Sequence, residues 1–255
     1  MAEMHGRIAV IPARGGSKRV PRKNVRSFFG HPMLAYSIAA AQNSGLFDEI
    51  IVSTEDHEIG ATALFYGARY LERPRELAND TAGSGVVGVH ALRTLMAEGK
   101  RPAEVCLLLP TCPLRTARDI HQHYLAFREG ARPAQISVVP FLGVYPHWAV
   151  VQDETGRGRF FFKGSGELNS QELKQAHCPT GAIWWIRAEV LDRMETFYAP
   201  DYAIELMDPV RGFDIDTEED WAHAELLVYG LKARDGKFPL EQPLPMSLKQ
   251  EVIPR

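Results

Sequence analysis

Five cations fall within ten residues near the start of this 255-residue chain: Arg14, Lys18, Arg19, Arg22 and Lys23, in the stretch Ala13-Arg14-Gly15-Gly16-Ser17-Lys18-Arg19-Val20-Pro21-Arg22-Lys23-Asn24. Their charges suit several phosphate oxygens, and adjacent glycines let backbone N–H groups approach a bound anion closely. Like charges this close repel one another, so an anionic partner is expected. Spacing alone also allows a solvated basic loop. A second cluster, Phe213-Asp214-Ile215-Asp216-Thr217, sets two acids two residues apart. In an extended segment both carboxylates point to one side and suit a single hard divalent cation. The cluster also reads as a helix start, with Asp216 or Thr217 as N-cap and Glu218, Glu219 and Asp220 favoured by the helix dipole. The two readings are compatible.

Other chemistries find little support. A Walker A loop needs a different order from Gly15-Gly16-Ser17-Lys18. The dinucleotide fingerprint Gly-x-Gly-x-x-Gly is met by Gly83-Ser84-Gly85-Val86-Val87-Gly88, but that copy follows the polar run Leu77-Ala78-Asn79-Asp80-Thr81-Ala82 rather than a strand. His121 and His123 are two apart on a predicted helix and face different ways, a poor ligand pair. Neither His-Glu-x-x-His nor Gly-x-Ser-x-Gly occurs.

Positioning these residues requires a sheet. Ile8 to Ile11 predict a buried strand that runs into the basic loop, an anion site at the carboxyl end of a sheet. Apolar periodicity then predicts helices over 32–44, ended by Gly45, and 56–66, ended by Gly67, followed by others over 84–96 and 116–128. Strands are expected over 49–53, 68–71, 104–109 and 135–139. Buried strands alternating with helices imply an α/β fold, a mostly parallel sheet with helices on both faces. The pattern breaks over 140–179, where aromatics and glycines show no helical period, an excursion or a loose insertion. A strand over 182–186, with Trp184 and Trp185 on opposite faces, a short helix from Ala188 and a helix over 218–229 complete the expected core. The tail from Lys232 holds four prolines and is expected to pack as an extended strap or stay mobile. The expected division is a core of 1–140 and 180–231, an excursion of 141–179 and a tail of 232–255.

Composition narrows the class further. An apolar fraction of 45% supports a buried core, and a net charge of −3 with locally concentrated cations argues against nucleic-acid binding. Cys106, Cys112 and Cys178 form no metal spacing, and so sparse a count fits a reducing cytoplasm. No apolar stretch precedes Arg7 and no run approaches ~18 apolar residues, so no membrane span is expected.

The stretch Ile11-Pro12-Ala13-Arg14-Gly15-Gly16-Ser17-Lys18-Arg19-Val20-Pro21-Arg22-Lys23-Asn24 resembles the nucleotide-binding signature of the acylneuraminate cytidylyltransferases, or CMP-sialic acid synthetases. Arg73-Pro74-Arg75-Glu76-Leu77-Ala78-Asn79-Asp80-Thr81-Ala82-Gly83-Ser84 is similar to the segment whose arginine and serine help hold the nucleotide. Pro110-Thr111-Cys112-Pro113-Leu114-Arg115-Thr116 resembles the family's Pro-Thr-Ser-Pro-Leu-Arg turn, and Pro179-Thr180-Gly181-Ala182-Ile183 its Pro-Asn-Gly-Ala-Ile. The resemblance implies a Rossmann-like nucleotidyltransferase fold with a small dimerisation excursion, and an enzyme that joins CMP from CTP to a 2-keto sugar acid with release of pyrophosphate. On that basis Arg14, Lys18 and Lys23 are the expected catalytic cations. CTP would be held by Ala13, Arg14, Gly15, Gly16, Ser17, Lys18, Lys23, Asn24, Arg73, Ser84 and Thr111. Asp214 and Asp216 would carry Mg²⁺, and the enzyme would act as a homodimer.

On the acceptor side the match departs from the family. Where the sialic acid enzymes carry a glutamine before the Pro-Thr turn, this chain has Leu109. Their His-Pro-x-Lys reads Tyr145-Pro146-His147-Trp148, and their Asn-Arg-Gln reads Asn169-Ser170-Gln171. Leu109, Arg115, Trp148, Ser170 and Gln171 are the positions the resemblance assigns to the acceptor. A site built on hydrogen bonds discriminates strongly, so their loss is expected to change the substrate. The acceptor expected is a nonulosonic acid other than N-acetylneuraminate, such as legionaminic or pseudaminic acid. A small phosphonate such as phosphonoformate, 3-deoxy-manno-octulosonate, or a non-catalytic nucleotide-binding role are the alternatives.

Overall fold

The computed structural model describes residues 6–78, 83–141, 145–164, 166 and 168–248. The chain opens with β1 (Arg7–Pro12), a tight hairpin of β2 (Ser27–Phe28) and β3 (His31–Pro32), and α1 (Met33–Ser44). Then follow β4 (Glu49–Thr54), α2 (His57–Phe65), β5 (Arg69–Glu72), α3 (Ser84–Ala97), β6 (Glu104–Leu107), α4 (Ala117–Glu129) and β7 (Ala134–Pro140). A small hairpin of β8 (Val150–Gln152) and β9 (Gly158–Phe160) precedes β10 (His177–Arg187), α5 (Ala188–Met194), β11 (Ala203–Leu206) and α6 (Glu218–Asp235).

Seven strands form the central sheet in the order β11-β7-β10-β6-β1-β4-β5. β1 runs parallel to both neighbours, with Val10 opposite Ile51 and Leu107. β10 alone is antiparallel to its neighbours. The reason is geometric: the excursion leaves from the end of β7 and returns beside it, so His177 pairs with Pro140 and β10 must run backwards.

Alternation along the strands divides the core. Ala9, Ile11, Val52, Cys106 and Trp185 face one layer with Leu34 and Ile38 of α1, Ile59 of α2 and Ile120 of α4. Ile8, Val10, Ile51, Val105 and Ile186 face the other with Leu92 of α3 and Leu191 of α5. Trp185 is fully buried between the stacked rings of Phe47 and Phe127, while Trp184 packs half-buried against Phe197 and Tyr198. A third cluster joins Trp221, Ala224 and Val228 of α6 to Phe28, Met33, Leu114 and Ile215.

Helix ends follow their chemistry. Gly45 closes α1 in the left-handed region at φ 65°, donating its N–H to Gln42. Asp56 caps α2, and Thr116 with Asp119 and Thr217 with Asp220 form capping boxes on α4 and α6.

Three features depart from the sequence reading. The edge strand β11 lay unrecognised, and β10 begins at His177 with an irregular register between Pro179 and Trp184. Residues 232–235, assigned to the tail, are the last turn of α6, which closes at Gly236. Beyond it, the tail packs: Pro239 and Leu240 are buried, and the Glu241 carboxylate accepts from Ala117 N and Asn43 Nδ2. Among the described residues no helix is long and apolar enough to cross a membrane.

Candidate active site

A cavity of about 320 Å³ opens at the carboxyl ends of β1 and β6. This is the edge of a parallel sheet where loops, freed from pairing, can converge on a ligand. The basic loop supplies Arg14, Ser17, Lys18, Arg19 and Lys23 to one side. Asp214 and Asp216, placed by the loop before α6, stand opposite with Thr111. Asn24, Arg73 and Ser84 complete the polar wall, and Val20, Leu77, Val87 and Leu109 form an apolar one.

The basic loop and the acid pair meet directly. Lys23 Nζ donates to Ile215 O at 2.7 Å and to Asp216 Oδ1 at 3.0 Å, and Arg19 Nη2 donates to Asp216 Oδ2 at 2.9 Å. Burial would raise the Asp216 carboxyl, but Lys23 and Arg19 outweigh it and hold it below the usual carboxylate range. Asp214 goes the other way: burial, helped by the nearby Asp216 charge, pushes it up against the opposing effects of Thr111 and Lys23. Its Oδ1 is buried without a hydrogen-bond partner.

The helix-start reading of the acid cluster holds. Thr217, not Asp216, is the N-cap, and Asp220 accepts from the N–H groups of Asp216 and Thr217. The Asp216 carboxylate is thereby left to face the cavity. Among the described residues no group of three or more His, Cys, Asp or Glu side chains gathers as a metal cage. Two carboxylates, one with an orphaned buried oxygen, do fit Mg²⁺, which commonly takes one or two protein carboxylates and completes its shell with water and phosphate.

Several of the expected residues are paired within the chain or stand apart from the cavity. The five cations do not stand uncompensated, since Arg22 pairs with Asp56 and Glu58, and Arg19 and Lys23 pair with Asp216. Mutual repulsion in the loop is therefore partly relieved within the chain. Ala13, Gly15 and Gly16 do not line the cavity: Ala13 is buried and extends β1 by donating to Ser53 O, and Gly15 turns its N–H to Glu55 Oε1 at 2.8 Å. Glycine is needed at position 15 because a Cβ would overlap the Asp56 carboxylate. Arg115, assigned to the acceptor, is 1% exposed. Its guanidinium donates to Leu109 O, Ala182 O and Ser37 Oγ, so it braces the turn from inside. Trp148, Ser170 and Gln171 also lie off the cavity; Trp148 packs on Tyr145, and the other two are exposed.

Asn24 lines the cavity and also donates to Arg14 O at 2.9 Å, so it shapes the loop it belongs to. The glycines of 83–88 serve packing: a Cβ at Gly85 would overlap the Glu195 backbone, and one at Gly88 would press on Phe197 and Leu191. Ser84 of that segment reaches the cavity, whereas Asp80-Thr81-Ala82 lie outside the described residues. Sequence reasoning missed the apolar wall of Val20, Leu77 and Val87, and it left Arg19 without a role. Arg19 sat in plain view as one of the five cations; its link to Asp216 spans 197 residues and had no local signal.

A cationic loop after the first strand of a mostly parallel sheet, facing a carboxylate pair across one cavity, is an arrangement suited to a nucleotidyltransferase, which must hold and neutralise a triphosphate. Residues 8–89 match the family model described as cytidylyltransferase. The chain is 33% identical over 222 residues to the pseudaminic acid cytidylyltransferase of Campylobacter jejuni, covering 86% of this chain and 95% of that protein. It is 31% identical over 230 residues to the CMP-N,N'-diacetyllegionaminic acid synthase of Legionella pneumophila, covering 87% and 95%. The fold is similar to that of a CMP:2-keto-3-deoxy-manno-octonic acid synthetase complexed with CTP, with a TM-score of 0.65 at 17% identity over 89% of this chain and 99% of that one. The chain belongs to the acylneuraminate cytidylyltransferase family and is a CTP-dependent nucleotidyltransferase.

Proposed function

We propose that this enzyme transfers CMP from CTP to a nonulosonic acid of the pseudaminic or legionaminic kind, releasing pyrophosphate. The observation that carries this acceptor is Leu109. It lines the cavity with Val87 and Leu77 at the position where the resemblance to sialic acid enzymes puts a glutamine. Gly181 makes room for it, since a Cβ there would overlap the Leu109 side chain. An apolar wall accepts deoxygenated carbons and acyl methyl groups and leaves a sugar hydroxyl unpaired. The names of the two relatives above point to the same class of sugar.

The chain's own residues do the following. Arg14, Lys18 and Lys23 bind and neutralise the triphosphate, while Arg73, Ser84 and Asn24 orient the nucleotide. The triphosphate competes with Asp216 for Lys23 and Arg19, which frees the carboxylate as the cations turn to phosphate. Asp214 and Asp216 hold Mg²⁺. When bound, that ion supplies Lewis acidity and a clamp on phosphoryl oxygens. Catalysis rests on alignment and on cations that meet charge developing in the transition state.

The excursion serves a homodimer in this proposal. Phe160, Phe161 and Phe162 are exposed there beside Tyr145 and Trp148, an apolar surface of the kind that marks association.

Pyrophosphate release with CTP and a panel of acids tests the acceptor. Turnover is expected with pseudaminic or legionaminic acid, and N-acetylneuraminate should be poorer by at least ~10-fold. Strong turnover of N-acetylneuraminate, or of phosphonoformate or 3-deoxy-manno-octulosonate in place of the nonulosonates, would overturn this reading.

A further inference from the structure

Glu55 directly follows β4, at the carboxyl end of the strand beside β1. Its carboxylate is shared between two segments at the cavity. Oε1 accepts the N–H of Gly15 at 2.8 Å, and Oε2 accepts from Arg73 Nη2 at 2.9 Å. Gly15 belongs to the basic loop, and Arg73 lines the cavity. The ion pair is shielded, with side-chain exposure of 4% for Arg73 and 18% for Glu55. Burial acts to raise the Glu55 carboxyl, but Arg73 and the Gly15 N–H prevail and keep it ionised.

The geometry has an electrostatic reason. Arg73 shares its cavity with Arg14, Lys18, Arg19 and Lys23, and a buried guanidinium among like charges would be driven out. A fixed carboxylate behind it holds it in place, and the same carboxylate fixes the backbone from which Arg14 and Lys18 project. Asp56 reinforces this junction by capping α2, pairing with Arg22 and filling the space beside Gly15.

We propose that Glu55 is a positioning residue for cytidylyl transfer, one that touches no substrate but sets the basic loop and Arg73 at the separation CTP requires. This rests on the cavity being the CTP site.

Glu55→Gln keeps the volume and the bond to Gly15 but removes the charge that holds Arg73. Its KM for CTP is expected to rise about 10- to 100-fold, with the KM for the acceptor within about twofold. Glu49→Gln is the matched control. Glu49 lies at the other end of β4, pairs with Arg69 and Lys100, and has the same 18% exposure, so it should lower thermal stability without moving the KM for CTP. In an Arg73→Ala background Glu55→Gln should add less than it does alone, because part of its effect passes through Arg73. Glu55→Asp, which keeps the charge and shortens the reach, should bind CTP with an affinity between wild type and Glu55→Gln in calorimetry. Equal CTP affinity in all three, full additivity with Arg73→Ala, or equal shifts in both KM values would overturn the proposal. Wild-type enzyme that turns over no CTP would overturn the cavity assignment itself, and this role with it.

Discussion

The cavity end of the sheet and the excursion over 145–178 are held by different means. At the cavity, side chains far apart in sequence lock onto one another: Lys23 to Asp216 and Ile215, Arg73 to Glu55, Arg115 to Ala182. In the excursion, local hydrogen bonds recur among the described residues that precede β10. Asp153 accepts from Thr155 and Arg157, Asn169 donates to Glu172, and Phe161 donates to Ala149. Its large apolar side chains, Phe160 to Phe162 among them, stay exposed. The first region is cross-linked by contacts within one chain. The second leaves apolar surface uncovered, which suits the proposed second copy.

This contrast has measurable consequences. The largest is at Asp214, where substitution should abolish chemistry without harming the fold. Asp214→Asn is expected to lower kcat/KM by about 10³-fold or more in pyrophosphate release. Thermal stability should hold or rise, because a buried carboxyl with an orphaned oxygen is removed. A parallel collapse in stability would contradict this account.

Arg115 should behave in the opposite manner. Arg115→Met removes the guanidinium bonds to Leu109 O, Ala182 O and Ser37 Oγ and is expected to cost about 3 kcal/mol in denaturant unfolding. The KM for CTP, measured where the variant is folded, should move little.

Acid should also act on α4, which packs on the sheet. His123 is buried with an unpartnered Nδ1, and burial pushes its pKa down to about 4 despite the pull of Asp119. The unfolded chain binds this proton at pH values where the folded one does not. Its contribution is therefore fully present above about pH 6.5 and falls as the pH drops towards 4, by up to about 3 kcal/mol. His123→Leu should flatten that part of the stability profile, and an unchanged slope would refute the assignment.

The smallest effect on the cavity should come from the excursion. Replacing Phe161 and Phe162 together by serine is expected to give a monomer by light scattering while CTP affinity stays within about twofold. A dimer that persists would move the interface elsewhere.

Much of the sheet was readable because its strands are apolar runs bounded by turn residues, as in Ile8 to Ile11 and Val105 to Leu108. β11 escaped because Ala203-Ile204-Glu205-Leu206 is short, lies at an edge and exposes Ile204 and Leu206. Lys232, Arg234 and Asp235 carry polar side chains, and with Ala233 they prolong α6 until Gly236, beyond the reach of periodicity. At the site, residue type alone did not show the partners of Arg115: a cation in a nucleotide enzyme invites a ligand, and this one donates to two carbonyls and a hydroxyl of its own chain.

Local chemistry was written in the order of residues: a strand that must be buried, a glycine turn with cations, an acid pair that leads into a capped helix. Which cation meets which acid was not. Lys23 and Asp216 are 193 positions apart, and only the stacking of β1, β6 and β10 with the packing of α6 brings them within 3.0 Å. Short-range preferences act over a turn or a strand, whereas a long-range contact exists only once the burial of the intervening elements has offset the entropy of closing so long a loop.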